Sequence, residues 1–358
     1  MKISSERLKE AVNTAGKGCG YNKLIPLTEL IGISLNDGKL RLYSTDMTNF
    51  LTVTVDKVSG EDINICVEAE KFTKLVSKIT SSEIELNIND DSLVVKANGV
   101  YKLPIIMDEE GIVEFPQHEE IVINSGDVKL TSVLSAYNIN RNALAKTLEQ
   151  PYLTGYYCGE KVISTDSVVI TFNNFSMFGK DVQPMLISPQ MMYLLTLNNE
   201  ENIKFGVDGD NLVFSTSNIE IRGPKLSGIE DYPIDAINEY LNVNFESKCK
   251  ISKQLVLDVL DRLSLFITQY DKNGAYFTFG RKGLKIYSKK DSSVETVNYI
   301  ESDKFTSFTC FVDIVMLKEQ LQACPEDTIT LWYGNENALK LETGNIIQII
   351  ALLDDEEE

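Results

Sequence analysis

Few side chains in this sequence are of types that do covalent chemistry, and their spacing suits it poorly. His118 is the only histidine, so a histidine-based triad has one possible base, and it sits in the loop-like "EFPQHEE". "GKGCG" (16–20) has the composition of a phosphate loop. No strand precedes it, no Lys-Ser/Thr follows, and the glycine spacing is wrong, so it reads as a flexible connection after a helix. The six cysteines (Cys19, Cys66, Cys158, Cys249, Cys310, Cys324) are scattered without a C-x-x-C pair. That pattern writes neither a disulfide framework nor a zinc site and points to buried thiols in a reducing cytoplasm. Asp46, Asp166 and Asp291 remain as carboxylates for a metal-dependent hydrolase. No ligand cluster surrounds them, and they recur at equivalent turn positions, where a short carboxylate bonds the turn backbone. The expectation is a protein with no catalytic residues, no metal and no cofactor.

Those aspartates belong to a larger recurrence. "LRLYSTD" (40–46), "KVISTD" (161–166) and "LKIYSKKD" (284–291) end similar alternating stretches. Each is preceded by a strand running into an amphipathic helix: "KISSERLKEAVNTA" (2–15), "IVINSGDVKLTSVLSAYNI" (121–139) and "CKISKQLVLDVLDRLSLFI" (249–267). Leu130, Val133, Leu134 and Tyr137 share one helical face by spacing, as do Val256, Val259, Leu260 and Leu263. The turns "NDGK", "CGEK" and "GRKG" between alternating segments are hairpin chemistry. A second helix follows in each copy, "VEAEKFTKLVSKIT" (67–80), "ISPQMMYLLTLN" (187–198) and "FVDIVMLKEQLQAC" (311–324), and then strands again. The first two copies close alike, on "GIVEFP" and "GIEDYP". Three copies of roughly 110–125 residues fill the chain, each an α+β unit of two helices on antiparallel strands. The expected domains are 1–120, 121–244 and 245–353, followed by an acidic tail at 354–358.

Composition agrees with a folded, soluble chain. Of 358 residues 43% are hydrophobic and 9% aromatic, and no apolar run is long enough to span a membrane. The opening "MKISSERLKE" lacks the apolar core of a signal peptide. Net charge is −19, from 53 acids against 34 bases, which argues against binding nucleic acid by bulk attraction. A local basic surface inside an acidic shell stays open.

The three-copy order, the opening "KIS..RLKEAV", the "STD" strands and the "YKLP…EEGIVEFP" closing copy one together resemble the bacterial-type DNA polymerase sliding clamp, the beta or processivity subunit. The resemblance covers essentially the whole chain. It implies three clamp domains per chain, two chains closed head-to-tail into a ring around duplex DNA, sheets outside, helices inside, and no catalysis by the ring. It also implies docking of DNA polymerase and clamp loader through short linear motifs. The rival readings are a clamp-fold scaffold that does not encircle DNA and the hydrolase considered above.

The residues support a DNA-lined hole in one place. In the second helix of copy one, Phe72, Leu75, Val76 and Ile79 make an apolar face, while Lys71, Lys74 and Lys78 form a separate stripe. Other bases fall on or just after the inner helices: Arg7, Lys9, Lys129, Arg141, Lys146, Lys253, Arg262 and Lys318. Phosphate contacts without base readout hold a duplex weakly and let a ring slide. The second helix of copy two, "SPQMMYLLTL", has no base, so the lining is uneven. By position, Tyr101, Leu103, Phe266 and Ile267 match the family's dimer-interface elements. The family's peptide pocket maps to Leu153, Thr165, Ser167, Ile170, Pro233, Ile237, Ile349, Leu352 and Leu353. Two departures alter it. "SVV" stands where Gly-His-Arg usually follows Thr-Asp, and "ALLDDEEE" replaces the usual Met-Pro-Met-Arg-Leu-like ending.

Overall fold

A computed structural model describes residues 1–109, 111–116, 123, 125–179, 182–288, 293–302 and 306–354. His118, Asp291 and the last four residues lie outside the described residues. Seven α-helices occur among the described residues: α1 (Ser5–Gly16), α2 (Ala69–Lys78), α3 (Leu130–Asn140), α4 (Pro189–Leu195), α5 (Ile234–Glu239), α6 (Lys253–Leu263) and α7 (Ile314–Ala323). Every described strand pairing is antiparallel, as hairpin-linked copies require.

The chain divides into two compact units: Met1–Val133 with Gln190–Lys225, and Leu134–Pro189 with Leu226–Glu358. The first carries an eight-stranded sheet. Its order is 126–129, 202–208, 211–215, 219–224, 50–55, 39–45, 30–36, 63–68. A four-stranded sheet (2–4, 83–89, 92–96, 100–104) stands beside it. The second unit repeats the plan. Its nine-stranded sheet runs 185–187, 156–158, 162–165, 169–173, 346–351, 338–343, 328–333, 247–252, 301–302, and its four-stranded sheet 294–298, 283–287, 274–279, 308–313.

Each long sheet joins strands of two sequence copies. In the first, Ile219–Pro224 pairs with Phe50–Val55; in the second, Val169–Asn173 pairs with Ile346–Ala351. Copy two therefore contributes strands to both sheets, and packing divides the chain inside α3 and α4 rather than at the copy boundaries near 120 and 244.

Helix faces follow the expected spacing in α6, where Val256, Val259, Leu260 and Leu263 are buried, and largely in α2, where Phe72 and Val76 are buried along with the capping Ile79 and Leu75 is partly buried. In α3 the face is rotated. Leu134 is 37% exposed, and the buried residues are Val133, Ala136, Ile139 and Asn140. Asn140 is buried with its Nδ2 donating to Val162 O, Ser164 Oγ and Thr171 O, each within 3.3 Å, while its Oδ1 has no partner among the described residues.

The glycine stretch 16–20 also differs from expectation, being packed rather than loose. A Cβ at Gly18 would lie 2.4 Å from Ser44 Oγ and 2.9 Å from Leu51 Cβ, and one at Gly20 2.9 Å from Asp46 Cα. Here glycine permits close approach of the chain to neighbouring strands. All six cysteines are buried free thiols. No helix is long and apolar enough to cross a membrane among the described residues.

Candidate nucleic-acid interface and peptide-docking site

The repeated Ser-Thr-Asp is one turn built twice. Asp46 Oδ1 accepts from the backbone N–H of Thr48 (2.8 Å) and Asn49 (2.6 Å), and Asp166 Oδ1 from Val168 (3.0 Å) and Val169 (2.8 Å). The preceding threonines accept from Met47 N and Ser167 N, and those two residues share a left-handed backbone, φ 75° and 77°. Both aspartates are thus committed to turn backbone, and no group of three metal-ligating side chains occurs among the described residues.

The eleven candidate bases have different surroundings. Lys71, Lys74 and Lys78 are exposed on α2 opposite its buried face. Lys71 pairs with Glu68 at 2.5 Å and Lys74 with Glu70 one turn away, surface pairs that a phosphate can replace at little cost. Lys129 and Arg141 are exposed, Arg141 lying over the Tyr137 ring at 5.3 Å; Lys146 approaches Glu319 at 3.9 Å. Arg7 donates to Asp56 O at 2.5 Å. Arg262 is held by Glu295 in two bonds of 2.8 and 2.6 Å, and Lys318 pairs with Asp261.

Lys9 and Lys253 have another task. The Lys9 ammonium donates to Ile79 O, and Lys253 donates to Cys324 O at 2.7 Å. Each carbonyl belongs to the C-cap residue of a second helix, where cations also oppose the negative end of the helix dipole. By sequence α2 is the only one of the seven helices with net positive charge, three lysines against Glu70.

The seam residues divide likewise. Tyr101 is 38% exposed on the edge strand Val100–Pro104, whereas Leu103 is buried in its own unit. Phe266 is half-exposed, and Ile267 packs against the core beneath α6. Sequence spacing missed exposed Leu265, Tyr270 and Val294, the last on the edge strand Val294–Asn298.

In the second unit Leu153, Ile170, Ile237 and Ile349 come together with Ile163, Phe172, Leu186, Tyr232 and Ala338. Thr165 is buried in its turn, Ser167 is exposed, and exposed Pro233 caps α5. α5 is not among the helices expected from the three copies, although Pro233 before the spacing Ile234, Ile237, Leu241 is a helix-start signal. The rim contains Leu226, Ile229, Ile234, Leu241 and Phe245, with Tyr157 stacked on Tyr232 at 5.0 Å.

Leu352 and Leu353 do not belong to this cluster. Leu352 packs on the core beneath α6 and α7, and both line a hollow of about 370 Å³ with Tyr276, Phe308 and Phe311. The reason lies in the backbone. Past the last strand, Leu352 N bonds Asn337 O and Leu353 N bonds Phe311 O, each at 2.9 Å.

Two long antiparallel sheets, each carrying the same turn and its own pair of helices, are the DNA clamp architecture. Residues 1–111 match the family described as DNA polymerase III beta subunit, N-terminal domain. The whole chain has the fold of solved beta clamps. The DNA polymerase III beta subunit of Thermotoga maritima aligns at TM-score 0.86 and 15% identity over 99% of this chain and 98% of that one. The DNA polymerase sliding clamp of Bacillus subtilis aligns at 0.85 and 16% over 99% of each, and the beta subunit from DNA polymerase of Streptococcus pyogenes at 0.86 and 15% over 98% and 99%. No curated protein sequence matches the chain.

Proposed function

We propose that two copies of this chain close head-to-tail into a ring around duplex DNA and tether the replicative polymerase in the cytoplasm, without catalysis by the ring. The three sequence copies, 1–120, 121–244 and 245–353, are its clamp domains. The observation that carries the reading is the charge of α2. On a chain of net charge −19, its three exposed lysines sit within the segment that matches the beta-subunit family. Long mobile lysines on a helix face contact phosphates without reading bases, which is what sliding needs. Ring closure would use the edge strands Val100–Pro104 and Val294–Asn298 together with the exposed Tyr101 and Phe266. The cluster around Leu153, Ile170, Ile237 and Ile349 would receive aliphatic side chains of a motif from polymerase or clamp loader.

Light scattering tests the assembly. The expected mass is about 80 kDa, two chains of 40.2 kDa, and Phe266→Asp should give folded monomers because it puts an unpaired charge into the seam. A stable 40.2 kDa species of the unmodified protein would leave only a clamp-fold scaffold.

A further inference from the structure

The outward face of the nine-stranded sheet does not end at the aliphatic cluster. Ile170 pairs with Ile349, Ile349 with Lys340, Lys340 with Trp332 and Trp332 with Lys248, so these five residues form one cross-strand row. Two of them are the proposed pocket; the next three are two lysines and the only tryptophan of the chain. The Lys340 ammonium lies 4.1 Å and that of Lys248 4.8 Å from the Trp332 ring centroid. Lys340 also lies 5.4 Å from the ring of Phe245, a rim residue of the pocket. Trp332 is fixed from its edge by an indole N–H donated to Glu342 at 2.7 Å. Beside it a hollow of about 250 Å³ is lined by Lys248, Lys250, Thr330, Trp332, Glu301 and Glu342.

We propose that this row is the specificity-determining flank of the peptide pocket, and that it selects docking segments with carboxylates next to their aliphatic anchor. The proposal rests on the pocket reading above and adds the chemistry of the partner. Strands are spaced about 4.8 Å, which puts Lys340 one strand and Lys248 three strands, about 14 Å, from Ile349. Side chains on one face of an extended peptide recur about every 6.8 Å. A peptide anchored at Ile170 and Ile349 and crossing the strands thus presents its second and fourth following residues to Lys340 and Lys248. Three lysines against two glutamates make the strip locally positive on a chain of net charge −19. Burial beside two rings pushes the Lys340 ammonium below its ordinary pKa, and the opposite charge of a carboxylate ligand offsets that penalty. Single-stranded nucleic acid is the less favoured occupant, because a base stacking on Trp332 must first displace two ammonium groups.

Calorimetry with two synthetic peptides, Leu-Ser-Leu-Ser-Asp-Ser-Asp and its Asn-for-Asp counterpart, separates the possibilities on the full chain. The aspartate peptide should bind about tenfold tighter. Lys248→Gln with Lys340→Gln should reduce that preference to under about twofold while leaving the Asn peptide unchanged, and Lys340→Arg should keep it. An unchanged melting curve shows that the variants fold. Equal affinity of the two peptides for the unmodified protein overturns the charged flank and leaves the pocket standing. Binding of neither peptide, or binding indifferent to Leu153→Ala with Ile170→Ala, removes pocket and flank together. Competition between oligothymidylate and the aspartate peptide, with quenching of Trp332 fluorescence, would assign the strip to nucleic acid and overturn the proposal.

Discussion

The two long sheets use the same frame with opposite chemistry. At the seam of the first unit, the outward residues are Glu220 and Arg222, an ion pair of 2.6 Å, facing Thr52 and Phe50. The inward ones are Leu51, Val53, Ile219 and Ile221, all buried. At the matching seam of the second unit, the outward residues are Ile170, Phe172, Ile347 and Ile349. Inward lie Thr171 and Gln348, both buried, in a network in which Gln348 Nε2 donates to Gln320 Oε1 at 3.0 Å and the Cys324 thiol to Gln348 Oε1 at 3.3 Å. Turning the polar pair inward frees the outer face to be aliphatic. Helix charge differs as well: α2 is basic, while its counterpart α7 carries only Lys318 beside Glu319. Under the proposed function, DNA contact falls chiefly to the first unit and peptide contact to the second.

The strongest attack on that division is charge reversal on α2. Lys71→Glu, Lys74→Glu and Lys78→Glu together should lower the salt slope of DNA retention by up to about 2.7 per chain, at about 0.9 per lost phosphate contact, while Lys318→Glu does much less. Equal slopes for the two would erase the distinction between α2 and α7. Next in size is Gln348→Ala, which leaves Gln320 and Cys324 short of partners. It should cost about 3 kcal/mol, read as faster hydrogen exchange confined to the second unit. Leu153→Ala with Ile170→Ala should then lower peptide affinity about ten- to a hundredfold, without changing the mass by light scattering or the DNA slope.

Smaller still is the exchange of Glu220 and Arg222 for isoleucine, which imports the second unit's outer seam into the first. Stability should change by less than about 1 kcal/mol, since this pair is partly solvated. A large loss in urea unfolding would mean the ion pair does more than fill the seam. The least effect is expected at the Arg262–Glu295 contact, where hydrogen bonding to the guanidinium holds the Glu295 carboxyl below its usual range. Stability from a lowered carboxyl is present above its unfolded pKa and lost as pH falls through the folded one. Glu295→Gln should therefore flatten only the acid side of the unfolding profile, below about pH 4.

Where burial followed simple apolar spacing, the sequence was legible, as in the buried faces of α2 and α6. The turn role of Asp46 and Asp166 was legible too, because a short carboxylate after Ser-Thr has few other uses. Spacing failed where a polar residue is buried with every donor satisfied. Asn140 displaces Leu134 from the core face of α3, and nothing in its local sequence announces the three acceptors that strands around 162–171 supply. It failed again at Lys9 and Lys253, whose acceptors are carbonyls 70 and 71 residues away. Of the residues mapped by motif, Leu153, Ile170, Ile237 and Ile349 come together in one cluster, whereas Leu352 and Leu353 line a separate hollow.

The proposed ring is tested most directly by topology. Loaded onto a nicked circular duplex by a clamp loader and passed through a sizing column, the protein should stay with the DNA. A single cut that linearises the circle should release it, because a ring that holds phosphates weakly slides off an end. Equal retention before and after the cut, or none on the circle, would contradict encirclement and leave a clamp fold that binds its partners without surrounding DNA.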